Sequence, residues 1–233
     1  LLYGKTGVGK TLIARYLQNN PGERPVRIVI PEYLNKEDMF EYALFGYVKG
    51  AYTGGRESGD HGLLLENVGR VVFLDEIGEA NDIIQAKLLA YLDDYHVRPR
   101  GWQGDPFYCP TLVVAATNRD LDDMVEKKQF RADLLMRFTD RETIPTLRER
   151  VDSFPFILDC LLQNNAINPG WGKKGESCVK EIGNEALEAL KKYEFPGNFR
   201  ELENILRTVC REVLKDGRDY ICRSDLPICK CDE

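Results

Sequence analysis

Two short stretches carry residue types that can do phosphate chemistry. The first is Gly4-Lys5-Thr6-Gly7-Val8-Gly9-Lys10-Thr11, which fits G-x-x-x-x-G-K-[ST]. In that spacing the glycines let consecutive backbone N–H groups curl round a phosphate. A helix opening near Lys10 adds the positive end of its dipole. Lys10 is placed to reach the β- and γ-phosphates, and the Thr11 hydroxyl to face Mg²⁺. The flanks agree, with an apolar stub Leu1-Leu2-Tyr3 before the loop and amphipathic Leu12 to Leu17 after it. The competing explanation is a glycine-rich turn before an ordinary helix. It leaves Lys-Thr at the helix mouth without a purpose, so a nucleoside triphosphate, ATP, is the expected ligand.

The second stretch is Asp75-Glu76, which ends the continuous apolar run Val71-Val72-Phe73-Leu74. Such a run reads as a strand buried in a parallel sheet, and carboxylates at its C-terminal end face the ligand crevice. Beside a phosphate loop, Asp75 is expected to hold Mg²⁺ through its water shell and Glu76 to polarise the attacking water. The plainer alternative is a pair of acids starting a surface turn. Two further polar residues sit at telling places. Asn118 follows the apolar run 111–116 and either senses the γ-phosphate or forms a turn. Arg200 lies in the first turn of a helix, where the dipole disfavours a cation, so it either faces phosphates or is a plain surface arginine.

The elements that must position these groups follow from pattern. Residues 26–30 alternate as a strand stopped by Pro31. Helices are predicted over 36–45, 63–68, 77–92 and 130–138, and strands over 71–74 and 111–116. Residues 46–59 hold too much glycine to be helical and form a long loop, which inside a compact domain is usually functional. Residues 93–105 read as a hairpin or exposed loop. The βα alternation stops near residues 144–150. Beyond it the pattern is helical only, over 154–164, 184–193 and 198–215, with a Gly/Lys loop at 168–177 and Asn198 as the N-cap of the last helix.

The chain has 233 residues, 32 Lys+Arg against 38 Asp+Glu, and a formal charge of −6. That balance argues against wrapping by nucleic acid over the whole domain and leaves room for a local basic patch. No apolar run is long enough to span a membrane and no signal peptide is visible. Because the first residues already read as a strand, the natural protein is expected to extend upstream. Seven cysteines is an odd number. A nucleotide-binding chain is expected in the cytoplasm, with its thiols reduced. A zinc site is disfavoured, since no C-x-x-C pair exists and His61 and His96 lie far from Cys222, Cys229 and Cys231.

With these pieces in order, the chain resembles the AAA+ domain of the bacterial enhancer-binding proteins, the ATPases that activate sigma-54 RNA polymerase. The shared AAA+ parts are the phosphate loop, Asp75-Glu76, Ala116-Thr117-Asn118-Arg119 as sensor I, and Phe195-Pro196-Gly197-Asn198-Phe199-Arg200-Glu201-Leu202 as sensor II. Phe130-Arg131-Ala132-Asp133-Leu134-Leu135-Met136-Arg137 is similar to the arginine-finger helix. The resemblance implies a P-loop AAA+ core with a parallel sheet over residues 1–150 and a small all-helical lid over 151–233. It also implies a ring, usually a hexamer, in which Arg131 and Arg137 reach the neighbouring subunit's ATP. The discriminating segment is Leu44-Phe45-Gly46-Tyr47-Val48-Lys49-Gly50-Ala51-Tyr52-Thr53-Gly54-Gly55, similar to L-F-G-H-x-K-G-A-F-T-G-A. By this match Gly50, Ala51, Tyr52, Thr53, Gly54 and Gly55 touch sigma-54, and residues 93–105 form a second, supporting loop. DNA would be bound only by a C-terminal helix-turn-helix domain that is not in this chain.

Three positions depart from the family pattern. Tyr52 stands for Phe, Gly55 for Ala, and Pro31 falls where the family commonly has an Asn that contacts the catalytic Glu. Proline offers no side-chain hydrogen bond. Two other functions therefore stay open at this point. One is a DNA-acting AAA+ motor, which needs basic pore loops that a −6 chain supplies poorly. The other is a nucleotide-dependent binding switch with feeble turnover.

Overall fold

The structure is a computed structural model that describes residues 1–18, 25–51 and 58–229. Residues Tyr52, Thr53, Gly54, Gly55 and Cys231 lie outside the described residues. The chain divides into two units, Leu1–Gly4 with Gly9–Ile144, and Lys5–Val8 with Pro145–Glu233.

The first unit is α/β. In chain order it contains β1 (Leu2–Tyr3), α1 (Lys10–Leu17), β2 (Val26–Val29), α2 (Glu37–Phe45), α3 (Leu63–Glu66), β3 (Val71–Asp75) and α4 (Asp82–Asp94). Then come β4 (His96–Val97), β5 (Phe107–Tyr108), β6 (Leu112–Thr117), α5 (Leu121–Glu126), α6 (Ala132–Met136) and β7 (Glu142–Thr143). Five strands form one sheet in the order β2-β3-β6-β1-β7, with every adjoining pair parallel. All five residues of β3 are buried, as the unbroken apolar run requires of a strand with both neighbours paired and both faces covered. Each such Val, Leu or Phe side chain contributes about 1.5–3 kcal/mol of burial. The core below the sheet joins Ile28, Leu74, Phe40, Leu44, Leu88 and Tyr91. Burial drives the Tyr91 phenol up to about 12, and its hydroxyl is satisfied by the Cys109 carbonyl and Thr111 Oγ1, both at 2.8 Å.

Several elements are shorter than their apolar spacing suggests. Residues 77–92 split into a 3₁₀ turn, Ile77–Glu79, and α4, because Ala80 is extended and Asn81 caps the new helix by accepting from the Ile84 N–H. The arginine-bearing stretch 130–138 is helical only over α6, since Arg131 itself is extended. β2 ends at Val29, and Pro31 sits in the first turn of a 3₁₀ helix, Ile30–Tyr33, where its missing N–H costs nothing.

The second unit is helical, with α7 (Phe154–Leu162), β8 (Glu181–Ile182), α8 (Asn184–Lys192), α9 (Asn198–Lys215) and β9 (Tyr220–Ile221). The buried positions of α9 at 202, 206, 209, 210 and 213 make one apolar stripe at helical spacing. It packs against Leu147, Phe154, Leu158 and Leu190. The lid is not purely helical, because β8 and β9 pair in parallel, Ile182 opposite Ile221. Two-residue strands leave too little alternation in the sequence to announce themselves. The loop after α7 is held by fully buried Asn168, whose amide donates to the Leu162 and Val179 carbonyls and whose Oδ1 accepts the Val179 N–H.

Asn198 is a correction to the sequence-based expectation. The N-cap of α9 is Gly197, and Asn198 is the first helical residue, in the left-handed region at φ 51°. Its side chain serves other partners, which frees nothing for its own helix.

Candidate active site

The parallel register aligns the strand ends that carry the polar residues. Asp75 lies opposite Ala116, and Ala116 opposite Leu2. One step further along the strands come Glu76, Thr117 and Tyr3, and then Asn118 and Gly4. The Gly4 N–H donates to the Thr117 carbonyl at 3.2 Å, so the sheet ladder runs up to the start of the phosphate loop. Gly4, Asp75, Glu76 and Asn118 therefore stand along one edge of the sheet, at the carboxyl ends of three adjacent strands. That edge is where open α/β sheets bind ligands.

Gly9, at φ 102°, is the N-cap of α1, and its carbonyl accepts from Leu12 and Ile13. A Cβ there would meet open space, so this glycine answers a need of the backbone, and room is left in front of it. The first turn of α1 carries no acidic side chain to neutralise its dipole. Lys10 is 7% exposed and donates from Nζ to the Gly4 carbonyl at 2.7 Å, which folds the loop onto itself. Within the second unit, Thr6 and Gly7 meet residues 197–200. Phe199 N–H donates to the Gly7 carbonyl at 3.0 Å, and a Cβ on Gly7 would come within 2.2 Å of the Gly197 oxygen. The curled backbone, uncompensated helix end and low exposure of the lysine fit a polyphosphate.

Asp75 is 6% exposed, and its Oδ2 accepts from Arg27 Nε at 3.0 Å and also from Arg27 Nη2. Thr11 and Asp75 together offer hard oxygen donors, the set that suits Mg²⁺. Glu76 is partly exposed and sits at φ 58°, left-handed for a residue that bears a side chain. Such strain is held in place by its surroundings and gathers at active sites. Among the described residues its carboxylate has no partner, and Pro31 offers none.

Asn118 is exposed just beyond β6. Its neighbour Arg119 is anchored to the Gly78 carbonyl at 3.2 Å and to the Glu79 carboxylate at 2.6 Å. Arg131 and Arg137 are exposed and lie outside the sheet-edge row. Arg131 pairs with Asp133 through two bonds of 3.0 and 2.8 Å, and Arg137 with Asp93 at 2.6 Å. Solvent weakens both pairs. The Arg131 backbone, in contrast, is fixed by buried Gln85, which accepts its N–H at 2.8 Å. Arg200 is exposed in the second unit and has no ionic partner among the described residues.

The glycine-rich loop after α2 leaves from a clamped base. Tyr47 and Asp60 exchange backbone hydrogen bonds at 2.8 Å in both directions. Arg100, from the hairpin of β4 and β5, donates its N–H to the Gly46 carbonyl and accepts from Val48, both at 2.9 Å. Gly62 is required here, since a Cβ at its φ of 78° would lie 2.3 Å from Gly46 N. Gly50 (φ 76°) and Ala51 follow this base, and Ala51 N–H closes a turn on Val48. The Arg100 side chain reaches Asp38 and Glu41 and lies over the Tyr42 ring. Arg27 and Arg100 were not evident as site residues from sequence. For Arg27 the available signal was one cation inside the apolar run Val26-Arg27-Ile28-Val29, which demands a partner.

Comparison with known proteins agrees with this geometry. The profile of the sigma-54 interaction domain family matches residues 1–143, and that of an AAA+ ATPase lid domain matches residues 148–227. An uncharacterised protein of the HyuA 5′ region of Pseudomonas sp. strain NS671 is 37% identical, covering 97% of this chain and 73% of its own length. The transcriptional regulatory protein ZraR of Salmonella typhimurium is 33% identical over 98% of this chain and 50% of its own. The nitrogen fixation protein AnfA of Azotobacter vinelandii is 33% identical over 97% of this chain and 41% of its own. NtrX from Brucella abortus, solved in complex with ADP, shares the fold with a TM-score of 0.76 and 24% identity, covering 98% of this chain and 50% of that one. The chain thus spans about half the length of ZraR and NtrX. Among the described residues no helix is long and apolar enough to cross a membrane.

Proposed function

The chain belongs to the sigma-54 interaction domain family of AAA+ proteins, and we propose that it is the ATP-hydrolysing engine that remodels sigma-54 RNA polymerase for promoter opening. The observation that carries this reading is the row of Gly4, Asp75, Glu76 and Asn118 along one sheet edge, beside a helix whose N-terminus no acid neutralises. Backbone N–H groups of residues 5–10 cradle the phosphates, and Lys10 exchanges the Gly4 carbonyl for their oxygens. Thr11 and Asp75 would hold Mg²⁺, which when bound offsets charge on the β- and γ-phosphate oxygens. Glu76, free of any partner among the described residues, accepts a proton from the attacking water. Asn118 aligns that water, and Arg200 meets the phosphates from the lid.

Arg131 and Arg137 act on the neighbouring subunit's ATP in a ring. Their exposure and weak pairs leave them free to exchange Asp133 and Asp93 for a phosphoryl group. The loop that carries Gly50, Ala51, Tyr52, Thr53, Gly54 and Gly55 meets sigma-54. Its clamped base passes displacement of α2 and of the Arg100 hairpin to these residues. Steady-state ATPase of the assembled chain tests the engine. Turnover should fall to background in Glu76→Gln while ATP still binds. Unimpaired turnover in that variant would refute the assignment of Glu76.

A further inference from the structure

Arg27 lies on β2, the edge strand of the sheet, opposite Phe73 in register. Asp75 lies opposite Val29, so Arg27 reaches it along the diagonal, a span that only a long side chain covers. Arg27 Nε and Nη2 both donate to one oxygen, Oδ2, and Oδ1 has no partner among the described residues. The two ends of the pair differ in their surroundings. The Asp75 side chain is 9% exposed, whereas that of Arg27 is 48% exposed.

A buried carboxylate cannot stand alone without a large desolvation cost. Arg27 can leave the pair freely, because its edge position opens to water. Exchange of Arg27 for another cation therefore strands neither charge. The carboxylate receives the newcomer, and the guanidinium becomes hydrated.

We propose that Arg27 is an exchangeable internal counter-ion for Asp75, which a divalent cation entering with the nucleotide must displace, so that Arg27 sets the cation affinity of the site. This deepens, and rests on, the assignment of Asp75 as a cation-holding residue. Arg27 is a positioning residue in this scheme and touches no substrate. The exchange makes and breaks no covalent bond. The guanidinium keeps its proton throughout.

The test uses the whole chain in two stages. Fluorescent ADP is first titrated in EDTA, and free Mn²⁺ is then followed by electron paramagnetic resonance as it binds the ADP-loaded protein. Arg27→Gln should bind ADP in EDTA like the wild type and then bind Mn²⁺ roughly tenfold more tightly. That is the low end of what one neighbouring cation does to a carboxylate's affinity for a proton. Arg27→Lys keeps the charge but cannot place two donors on one oxygen, so it should fall between the two. It also serves if Arg27→Gln does not fold. Unchanged or weaker Mn²⁺ binding in the folded variants, with ADP binding intact, overturns this inference alone and leaves Arg27 a structural pair. Failure of the wild-type chain to bind ADP overturns the phosphate-loop assignment and this inference with it.

Discussion

The side-chain amide of Asn198 donates to the backbone carbonyl of Thr6 at 3.0 Å, and its Oδ1 accepts the backbone N–H of Leu147 at 3.0 Å. One buried residue of the Pro-Gly-Asn segment thus ties together, within the second unit, Thr6, Leu147 and the first turn of α9. Its left-handed backbone aims the side chain at both partners, a conformation that Asn tolerates better than most residues.

Replacing Asn198 by Ala leaves two backbone groups without partners and adds strain at φ 51°. The expected loss is about 1–3 kcal/mol for the unsatisfied groups. Thermal melts of the nucleotide-free protein measure it. An unchanged melting temperature would show that these bonds are not holding the segment.

Lys10→Ala removes the one side chain that the loop folds back onto the Gly4 carbonyl. Calorimetry with ATP should detect no binding, while the melting temperature stays within a few degrees of wild type. Unaltered affinity would contradict the phosphate-loop assignment.

Arg131→Ala should leave ATP binding intact and stop hydrolysis, because Gln85 holds the backbone there regardless of the side chain. Mixing it with Glu76→Gln subunits rebuilds some interfaces with both a Glu76 and an Arg131. Partial turnover should return in the mixture. No return at any ratio would argue that Arg131 does not act across subunits.

Much of this site is legible in sequence because the chemistry fixes both residue type and spacing. The phosphate loop needs its glycines and Lys10-Thr11, and the apolar run 71–74 can only be an inner strand, so Asp75-Glu76 fall at its end. What sequence hides depends on long-range pairing. Arg27 meets Asp75 only because β2 and β3 adopt one register out of several. Arg100 clamps Gly46 and Val48 from more than fifty residues away. Asn198 looks like an ordinary cap until its φ turns the side chain elsewhere. The β8–β9 pair is two residues long on each side, beneath any periodic signal.

The central claim is that nucleotide chemistry in this domain drives a loop against sigma-54. The most direct measurement is a gel shift of the chain with purified sigma-54 in ADP plus aluminium fluoride, a mimic of the hydrolysis transition state, with Tyr52→Ala alongside. We expect a complex that forms only with the analogue and is lost in Tyr52→Ala, while that variant keeps its ATPase activity. A protein that hydrolyses ATP and forms rings, yet gives no sigma-54 complex under these conditions, would contradict the account.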